Sequence, residues 1–507
     1  MTTSEIGILI SIIVYMVAII GIGVYYSKVN NSTEDFYLGG RKLGPFVTAM
    51  SAEASDMSSW LLMGLPGVAY LTGVCNAFWT AVGLGIGTYV NWLIVAKRLR
   101  KYSVICGDAI TVPDFFANRY RDKKVLKCVS ALMIIIFFVP YTASGFAACG
   151  KLFHSLFGVD YMAAMVISAI VIVAYTTLGG FWAASTSDFI QSIVMSVALI
   201  IVIGYGVYSV GGIDVVASNV KDLPGYINLN ATFDATTNSS SPYGIITIFS
   251  TLAWGLGYFG MPHILLRFMA IEDKNKIKLS RRIASVWVVI AMAVAIFIGV
   301  IGHTMSQVGV IDNLKDSETI IVQIANVLSS HGILFAIIAG VILAGILAST
   351  MSTSDSQLLA ASSSVTENLM DGVLGIKLSE KAKVIVARCT VIGISIVAIF
   401  LASNPDSSVF QIVSCAWAGF GSTFGPVMLF ALFWKRSNKY GAISGMVAGG
   451  AMVFIWKFVV RPLGGAWDIY ELLPAFIVAC VFIIVISLLT KAPEQEIIDE
   501  FDSVKNA

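Results

Sequence analysis

The chain has 507 residues, 57% of them hydrophobic and 12% charged, with a net charge of +2. Soluble domains carry about 25% charged residues, so this composition excludes a string of soluble domains of the same total length. With no basic tail or stripe, it also excludes a nucleic-acid-binding surface.

Apolar runs of about 20 residues recur from end to end, the length a helix needs to cross a hydrocarbon core of roughly 30 Å. They lack the alternation of barrel strands, so the expected fold class is an all-α integral membrane protein. Thirteen spans are predicted at 6–26, 46–72, 76–97, 128–153, 160–178, 188–211, 244–268, 284–306, 332–360, 384–403, 408–434, 440–460 and 470–490. The first run follows Met1-Thr-Thr-Ser-Glu without Lys or Arg, which reads as a mature helix rather than a cleaved signal. The connections are short, leaving no room for a cytosolic catalytic or sensor domain. The longest, 212–243, ends in a polar stretch, and 318–330 reads as a short amphipathic piece.

Charge sets the orientation. If the spans alternate from an outside N-terminus, only Lys151, Lys221, Lys315, Lys457 and Arg461 lie outside. The other 27 of the 32 Lys and Arg residues, from Lys28 to Lys505, lie inside. Basic residues collect on the cytoplasmic side of membrane proteins. The expectation is therefore a multi-pass protein of the cell membrane with its N-terminus outside and its C-terminus cytoplasmic.

Two spans are interrupted. The second holds Ser51 to Ser59, small and polar, with two carboxylates at Glu53 and Asp56. The seventh reads Trp254-Gly-Leu-Gly-Tyr-Phe-Gly-Met-Pro-His263, three glycines and Pro262 in a run of poor helix formers. Interrupted helices in corresponding positions of two halves point to a transporter site built on an inverted repeat. The halves would be 46–211 and 244–434, with 6–26 and 440–490 as additional helices and 491–507 as a tail. An ordinary Pro or Gly kink is the plainer reading of either break.

A carboxylate at mid-bilayer costs at least about 2.5 kcal/mol, so Asp56 is expected to face a cation, a donor or water. The ninth span supplies a second polar cluster, Ser349, Thr350, Ser352, Thr353, Ser354, Asp355 and Ser356. Hydroxyl and carbonyl oxygens suit a hard cation, and no Cys or His nearby suggests a transition metal. Tyr141, after Pro140, could offer a hydroxyl to a cavity or merely pack. Asp188 follows Ser185-Thr-Ser and reads equally as a residue of a helix cap. Gly441, Gly445 and Gly449 form a close-packing face. The seven cysteines form no CxxC pair and read as free thiols, and the four histidines share no ligand spacing. No catalytic constellation or phosphate loop is present, so an enzyme is not expected.

Several segments together resemble one family. They are Glu34-Asp-Phe-Tyr-Leu-Gly-Gly-Arg41, Ala54-Ser-Asp-Met-Ser58 with Trp60-Leu-Leu-Met-Gly-Leu-Pro-Gly67, and Leu178-Gly-Gly-Phe-Trp-Ala183. Further along come Gly257-Tyr-Phe-Gly-Met-Pro-His263 with Arg267, Met351-Ser-Thr with Asp355-Ser-Gln-Leu-Leu359, and Lys435-Arg-Ser-Asn-Lys-Tyr-Gly-Ala442 with Gly445. From about residue 5 to 490 the chain resembles the solute:sodium symporter family, and its Ser-Asp-Met-Ser and Trp-Gly-Leu-Gly-Tyr-Phe-Gly segments resemble the proline carriers within it. The resemblance implies about thirteen helices, with a core of two inverted five-helix repeats as in the leucine transporter and discontinuous helices 2 and 7. It implies a sodium ion, Na+, between the second and ninth helices, held by backbone oxygens of Ala54, Met57 and Ser349 and hydroxyls of Ser352 and Thr353. Asp56 would be essential for coupling and Asp188 would lie nearby. Proline would sit near Ser58, Ser59, Tyr141, Trp254, Tyr258 and Pro262, with Arg41 acting in gating on the cytoplasmic side. The chain departs from the family pattern at Ser59, where glycine is expected, at Glu53, where some members have a small residue, and at Ser349, which replaces alanine. The implied partners are proline, sodium and the bilayer, with no obligatory protein partner. The competing readings are symport of a betaine, a carboxylate or a sugar, or a membrane sensor or channel.

Overall fold

The computed structural model describes residues 2–27 and 33–506; Lys28, counted with the inside charges, lies outside them. Apart from one short hairpin, Ala231–Asp234 paired antiparallel with Ser239–Pro242, the described residues form helices, turns and connections. Each predicted span falls in a helical segment. The first is Thr3–Ser27, and the second runs through Pro45–Ser59, Trp60–Gly64 and Leu65–Thr72. The third passes from Val74–Val90 through a wide π-type turn, Asn91–Val95, to Ala96–Ile105, and the fourth is Val125–Phe157. The fifth and sixth form the run Tyr161–Ser209, divided at Gly180, whose φ of 61° leaves the helical region. The seventh comprises Ile245–Leu252, Ala253–Phe259 and Pro262–Ala270. The rest are Ile277–Gln307, Ile333–Ser363, Glu380–Leu401, Val409–Phe433, Lys439–Ile455 and Leu472–Leu489.

Among the described residues, ten helices are each long and apolar enough to cross a bilayer, and an eleventh arises if the bent pair Ile245–Phe259 and Pro262–Ala270 counts as one span. The second predicted span is divided by its polar break, and the fifth contributes the shorter apolar helix Tyr161–Ala174.

Burial sorts the spans. The most apolar window of the eleventh is 83% buried and that of the ninth 67%, against 28% for the first, tenth and twelfth. The ninth and eleventh are therefore central, and the other three present large apolar side chains such as Val17, Phe400 and Phe458 outward, as lipid requires. The second span is buried throughout its polar middle, from Thr48 to Ser59. Polar residues that would be costly against lipid are thus turned into the protein.

Close helix contact depends on glycine. A Cβ at Gly441, Gly445 or Gly449 would collide with Ser487, Ile483 and Ser422 respectively, so this row packs the twelfth span on its neighbours as expected. A second contact joins the third span to the broken seventh, where a Cβ on Gly87 would meet the backbone of Gly255 and one on Gly255 would meet that of Gly83. All seven cysteines are free.

The connections hold more structure than their composition suggests. The stretch 212–243 contains the helix Ile213–Lys221 as well as the hairpin. Asp234 organises the hairpin turn by accepting from Thr236 N and Oγ1 and from Thr237 Oγ1. Those bonds, from Thr236 first, pull its carboxyl down to about 2. The expected amphipathic piece is the helix Ile320–Ser329. The tail folds as Gln495–Asn506 and docks through Arg121, which pairs with Glu496 at 3.2 Å and Glu500 at 2.8 Å, and through the buried Phe501.

Replacing Gly87 with Ala forces backbone apart where two spans touch, which costs about 1–3 kcal/mol. Gly393→Ala, in the tenth span, meets nothing within 4 Å. Thermal unfolding of the purified protein in detergent should show a lower midpoint for Gly87→Ala and no loss for Gly393→Ala. Equal midpoints would remove the close contact between the third and seventh spans.

Candidate functional site

Both interrupted spans are broken at the expected places, by different means. In the second, Ser58 adopts φ 48° and ψ −170°, a left-handed φ that an L side chain rarely takes. Its hydroxyl accepts from Trp60 N at 3.1 Å, supporting the chain just past the break. In the seventh, the helix tightens at Ala253–Phe259, Met261 is extended, and the helix restarts at Pro262 with a bend of 46°. Proline suits that first position because its missing N–H would have no helical partner there. Pro262 therefore starts the second half-helix and does not line the pocket described below.

One turn before the Ser58 break, Ala54 meets the ninth span. Ser352 Oγ donates to Ala54 O at 2.8 Å and lies 3.1 Å from Ser349 O, and Thr353 Oγ1 donates to Ser349 O at 3.1 Å. Ala54, Ser349, Ser352 and Thr353 are all buried. A hydroxyl has one proton but two lone pairs, so Ser352 cannot donate to both carbonyls at once, and its oxygen remains free to bind a cation. The four converging atoms are all oxygens, two carbonyls and two hydroxyls. That donor set fits a hard monovalent cation and none of the thiolate- or imidazole-loving metals. Among the described residues no group of three or more His, Cys, Asp or Glu could hold a metal. Met57 stands one turn further on, where its carbonyl accepts from Trp60 N at the break.

Asp56 faces elsewhere. Its Oδ2 accepts from the Tyr258 hydroxyl at 2.6 Å, its backbone oxygen accepts from Tyr141 Oη at 3.3 Å, and its Oδ1 is buried without a protein donor. The carboxylate thus joins the second span to the seventh rather than to the ninth. Glu53, one turn earlier, accepts from Trp92 Nε1 at 3.0 Å, a donor delivered by the π-type turn of the third span.

Around Asp56 lies a closed pocket with about 10 Å³ of free space, lined by Asp56, Met57, Trp60, Tyr141, Trp254 and Trp417, with Leu84 and Val413. Tyr141 and Trp254 thus line one pocket. Tyr258 borders the pocket only through Asp56 and Trp417, whose ring it meets edge-on at 5.1 Å. Ser58 forms the break and Ser59 is buried beside it with no partner for its hydroxyl. Trp60 and Trp417 were missed as pocket residues: an aromatic in an apolar span carries no mark that separates a pocket wall from helix packing.

A large cavity adjoins the pocket at Trp254, which lines both. A cavity of about 960 Å³ opens on the face that carries Lys151, Lys315, Lys457 and Arg461 and reaches down to Phe410 and Trp254. Its floor is aromatic: Trp254 lies 5.5 Å from Trp60, 5.5 Å from Phe410 and 5.0 Å from Tyr470 between ring centroids. Glu318 braces its rim, pairing with Lys151 at 2.8 Å and capping the eleventh span through Ser408 Oγ, Val409 N and Phe410 N.

The opposite face is sealed by charge. Arg267 of the seventh span pairs with Asp188 of the sixth at 3.0 Å, both almost fully buried. It also donates to Ser51 Oγ on the second span at 3.0 Å and to Ser356 Oγ on the ninth at 2.6 Å. Asp188 accepts from Ser51 as well, at 2.6 Å. Asp188, expected near the cation, gives its Oδ2 to this four-span lock, whose Ser51 stands one turn from Ala54, while its Oδ1 is buried without a hydrogen-bond partner. Neither Arg267 nor Ser51 was marked in the sequence as its partner. Arg41, expected in gating, ties the same face together through Asp108 at 2.9 Å, Ala109 O at 2.7 Å and Met269 O at 2.8 Å.

Removing one partner of a buried ion pair strands the other charge, at about 3–5 kcal/mol. Asp188→Ala and Arg267→Ala should each lower the unfolding midpoint strongly, and the double variant should lose less than the sum. Additive losses in that cycle would show that the two side chains do not act as a pair.

The family model described as the sodium:solute symporter family matches residues 36–449. The chain is 41% identical over 493 residues to the osmoregulated proline transporter OpuE of Bacillus subtilis, covering 97% of this chain and 96% of that protein. It is 43% identical over 503 residues to the sodium/proline symporter of Haemophilus influenzae, covering 98% of each. Among solved structures it resembles a Na+-coupled sialic acid symporter in a substrate-bound outward-open state, with a TM-score of 0.78 at 16% identity over 96% of this chain and 99% of that one. Mhp1, a nucleobase-cation-symport-1 family transporter, follows at 0.53 and 12% identity over 94% and 99%. The fold is that of the leucine-transporter-like symporters, with its second and seventh helices broken, and the chain belongs to the sodium:solute symporter family.

Proposed function

We propose that this protein is a secondary active transporter that carries L-proline into the cell together with sodium by alternating access. The observation that carries the reading is the oxygen cluster of Ala54, Ser349, Ser352 and Thr353 set beside a closed aromatic pocket at two broken spans. The proline transporters among the relatives supply the solute class.

The physical scheme follows from the site. Sodium enters as co-substrate and takes the four oxygens, with Met57 O adjoining, which clamps the second span to the ninth. Each sodium charge that crosses the full membrane potential gains about 2.3 kcal/mol per 100 mV, enough to drive a solute uphill. Asp56 adds negative charge next to an oxygen cluster that has none of its own, and this favours the ion. Proline offers an apolar ring, a carboxylate and a secondary ammonium. Trp60, Trp254 and Trp417 give the ring flat walls, Asp56 Oδ1 offers an acceptor for the ammonium, and the Tyr141 hydroxyl can turn to the carboxylate. The cavity above Trp254 is the way in, and the Arg267–Asp188 lock must part for release. We assign the 960 Å³ cavity to the outside and the Arg41 and Arg267 face to the cytoplasm, in keeping with the distribution of Lys and Arg.

Radiolabelled uptake into proteoliposomes under sodium, lithium or proton gradients, with betaine, carboxylate and sugar competitors, tests the assignment. Saturable, sodium-dependent proline uptake is expected; uptake of a different solute alone would remove proline, and unsaturable flux would indicate a channel. Ser352→Ala combined with Thr353→Ala should raise the sodium requirement about tenfold or more and leave the half-saturating proline concentration nearly unchanged. Trp254→Ala and Tyr141→Phe should do the reverse. An unaltered sodium requirement in the first variant would place the ion elsewhere. For orientation, a cysteine tag at the C-terminus should resist an impermeant maleimide in intact cells while one at the N-terminus reacts; labelling at the C-terminus would invert the topology.

A further inference from the structure

The loop between the twelfth and thirteenth spans reaches back over the pocket, although both spans lie outside the two five-helix repeats. Arg461 clips this loop to itself, donating to Asp468 Oδ1 at 2.8 Å and to Glu471 Oε2 at 3.1 Å. Gly464 and Gly465, with φ of 72° and 61°, allow the tight reversal between them. Beside the two acids, Tyr470 is anchored at both ends. Its backbone N–H donates to Ser250 Oγ on the outer half of the seventh span at 2.6 Å, and its hydroxyl donates to Ser414 O on the eleventh at 2.7 Å. Held this way, the ring lies nearly flat on Trp254, with centroids 5.0 Å apart and planes 18° apart.

Trp254 is the partition between the open cavity and the closed pocket, since it lines both. On the pocket side it meets Trp60 and on the cavity side Tyr470. Without Tyr470 the indole would have free space above it and could swing outward. We propose that Tyr470 is a positioning residue for the transported solute: it fixes Trp254 over the pocket and thereby limits the size of the solute's ring. This rests on the reading that Trp254 walls the solute pocket. The hydrogen-bond partners described for Ala54 and Ser352 are each other and Ser349, and those described for Tyr470 are Ser250 and Ser414, so the effect belongs to solute capture and selectivity and not to sodium.

The test uses the full-length protein in proteoliposomes, with proline, its six-membered homologue pipecolate and linear amino acids as solutes. Tyr470→Ala should raise the half-saturating proline concentration about tenfold, as loss of an aromatic stack allows, and narrow the preference for proline over pipecolate. Its sodium requirement and maximal rate should stay close to those of the unmutated protein. Tyr470→Phe, which keeps the stack and loses the Ser414 bond, should raise it about threefold. In a Trp254→Ala background Tyr470→Ala should add nothing further. An unchanged half-saturating concentration in Tyr470→Ala would overturn the proposal, as would its full effect persisting without Trp254 or a loss of maximal rate alone. If Tyr470→Ala fails to accumulate, Tyr470→Phe and Ser250→Ala decide, and no change in either overturns it. If the unmutated protein carries another solute of the panel and not proline, that failure belongs to the proposed substrate, and the same variants are read on the solute carried.

Discussion

Inside a bilayer there is no water to satisfy polar groups, so the polar middle of the second span can exist only if other spans supply its partners. The hydroxyl of Ser352 on the backbone oxygen of Ala54 meets that need on one side, and Trp92, Tyr141 and Tyr258 meet it on the other. The second span is therefore held by the third, fourth, seventh and ninth at once. Those contacts place two things side by side that a membrane protein otherwise avoids: a set of bare oxygens and a carboxylate with an unused acceptor.

The same polar seam explains why the molecule is open on one face and shut on the other. Toward the Arg41 face, Ser51 continues the seam into the Arg267–Asp188 pair, and four spans close on a single guanidinium. Arginine suits this role because its planar fork can reach several acceptors in fixed directions. Toward the opposite face, the seam gives way to large rings around Trp254, which pack without charge and leave the broad cavity above them open. A charged lock lies on one side and an aromatic partition on the other, and the oxygen cluster of the second and ninth spans sits between them.

The two C-terminal spans look peripheral by burial, yet their glycine row fixes them tightly to the eleventh and to each other. The short loop between them reaches Trp254 through Tyr470. The third span contributes differently. Its glycines allow it to touch the broken seventh span backbone to backbone, and its π-type turn brings Asn91 and Trp92 inward, where they hold Tyr258 O and Glu53.

Much of this protein is determined by the sequence alone, because membrane insertion is governed by local quantities. Run length and hydropathy predict thirteen spans, each of which falls in a helical segment, the small polar stretch Ser51 to Ser59 marks the break near Ser58, Pro and Gly density marks the one near Pro262, and polar residues inside apolar runs mark Asp56 and the cluster from Ser349 to Ser356. Motifs around those residues were sufficient to reach the family. Only the tertiary structure decided the pairing of groups distant in the chain. Asp188 stands 79 positions from Arg267, Ser352 stands 298 from Ala54, and Tyr258 stands 202 from Asp56. Nothing local distinguishes an acid that binds an ion from one that meets an arginine, or a tryptophan that walls a pocket from one that packs a helix. Those roles are set by which faces of separate helices are brought within hydrogen-bond or ring-contact distance, and that is a property of the packed bundle.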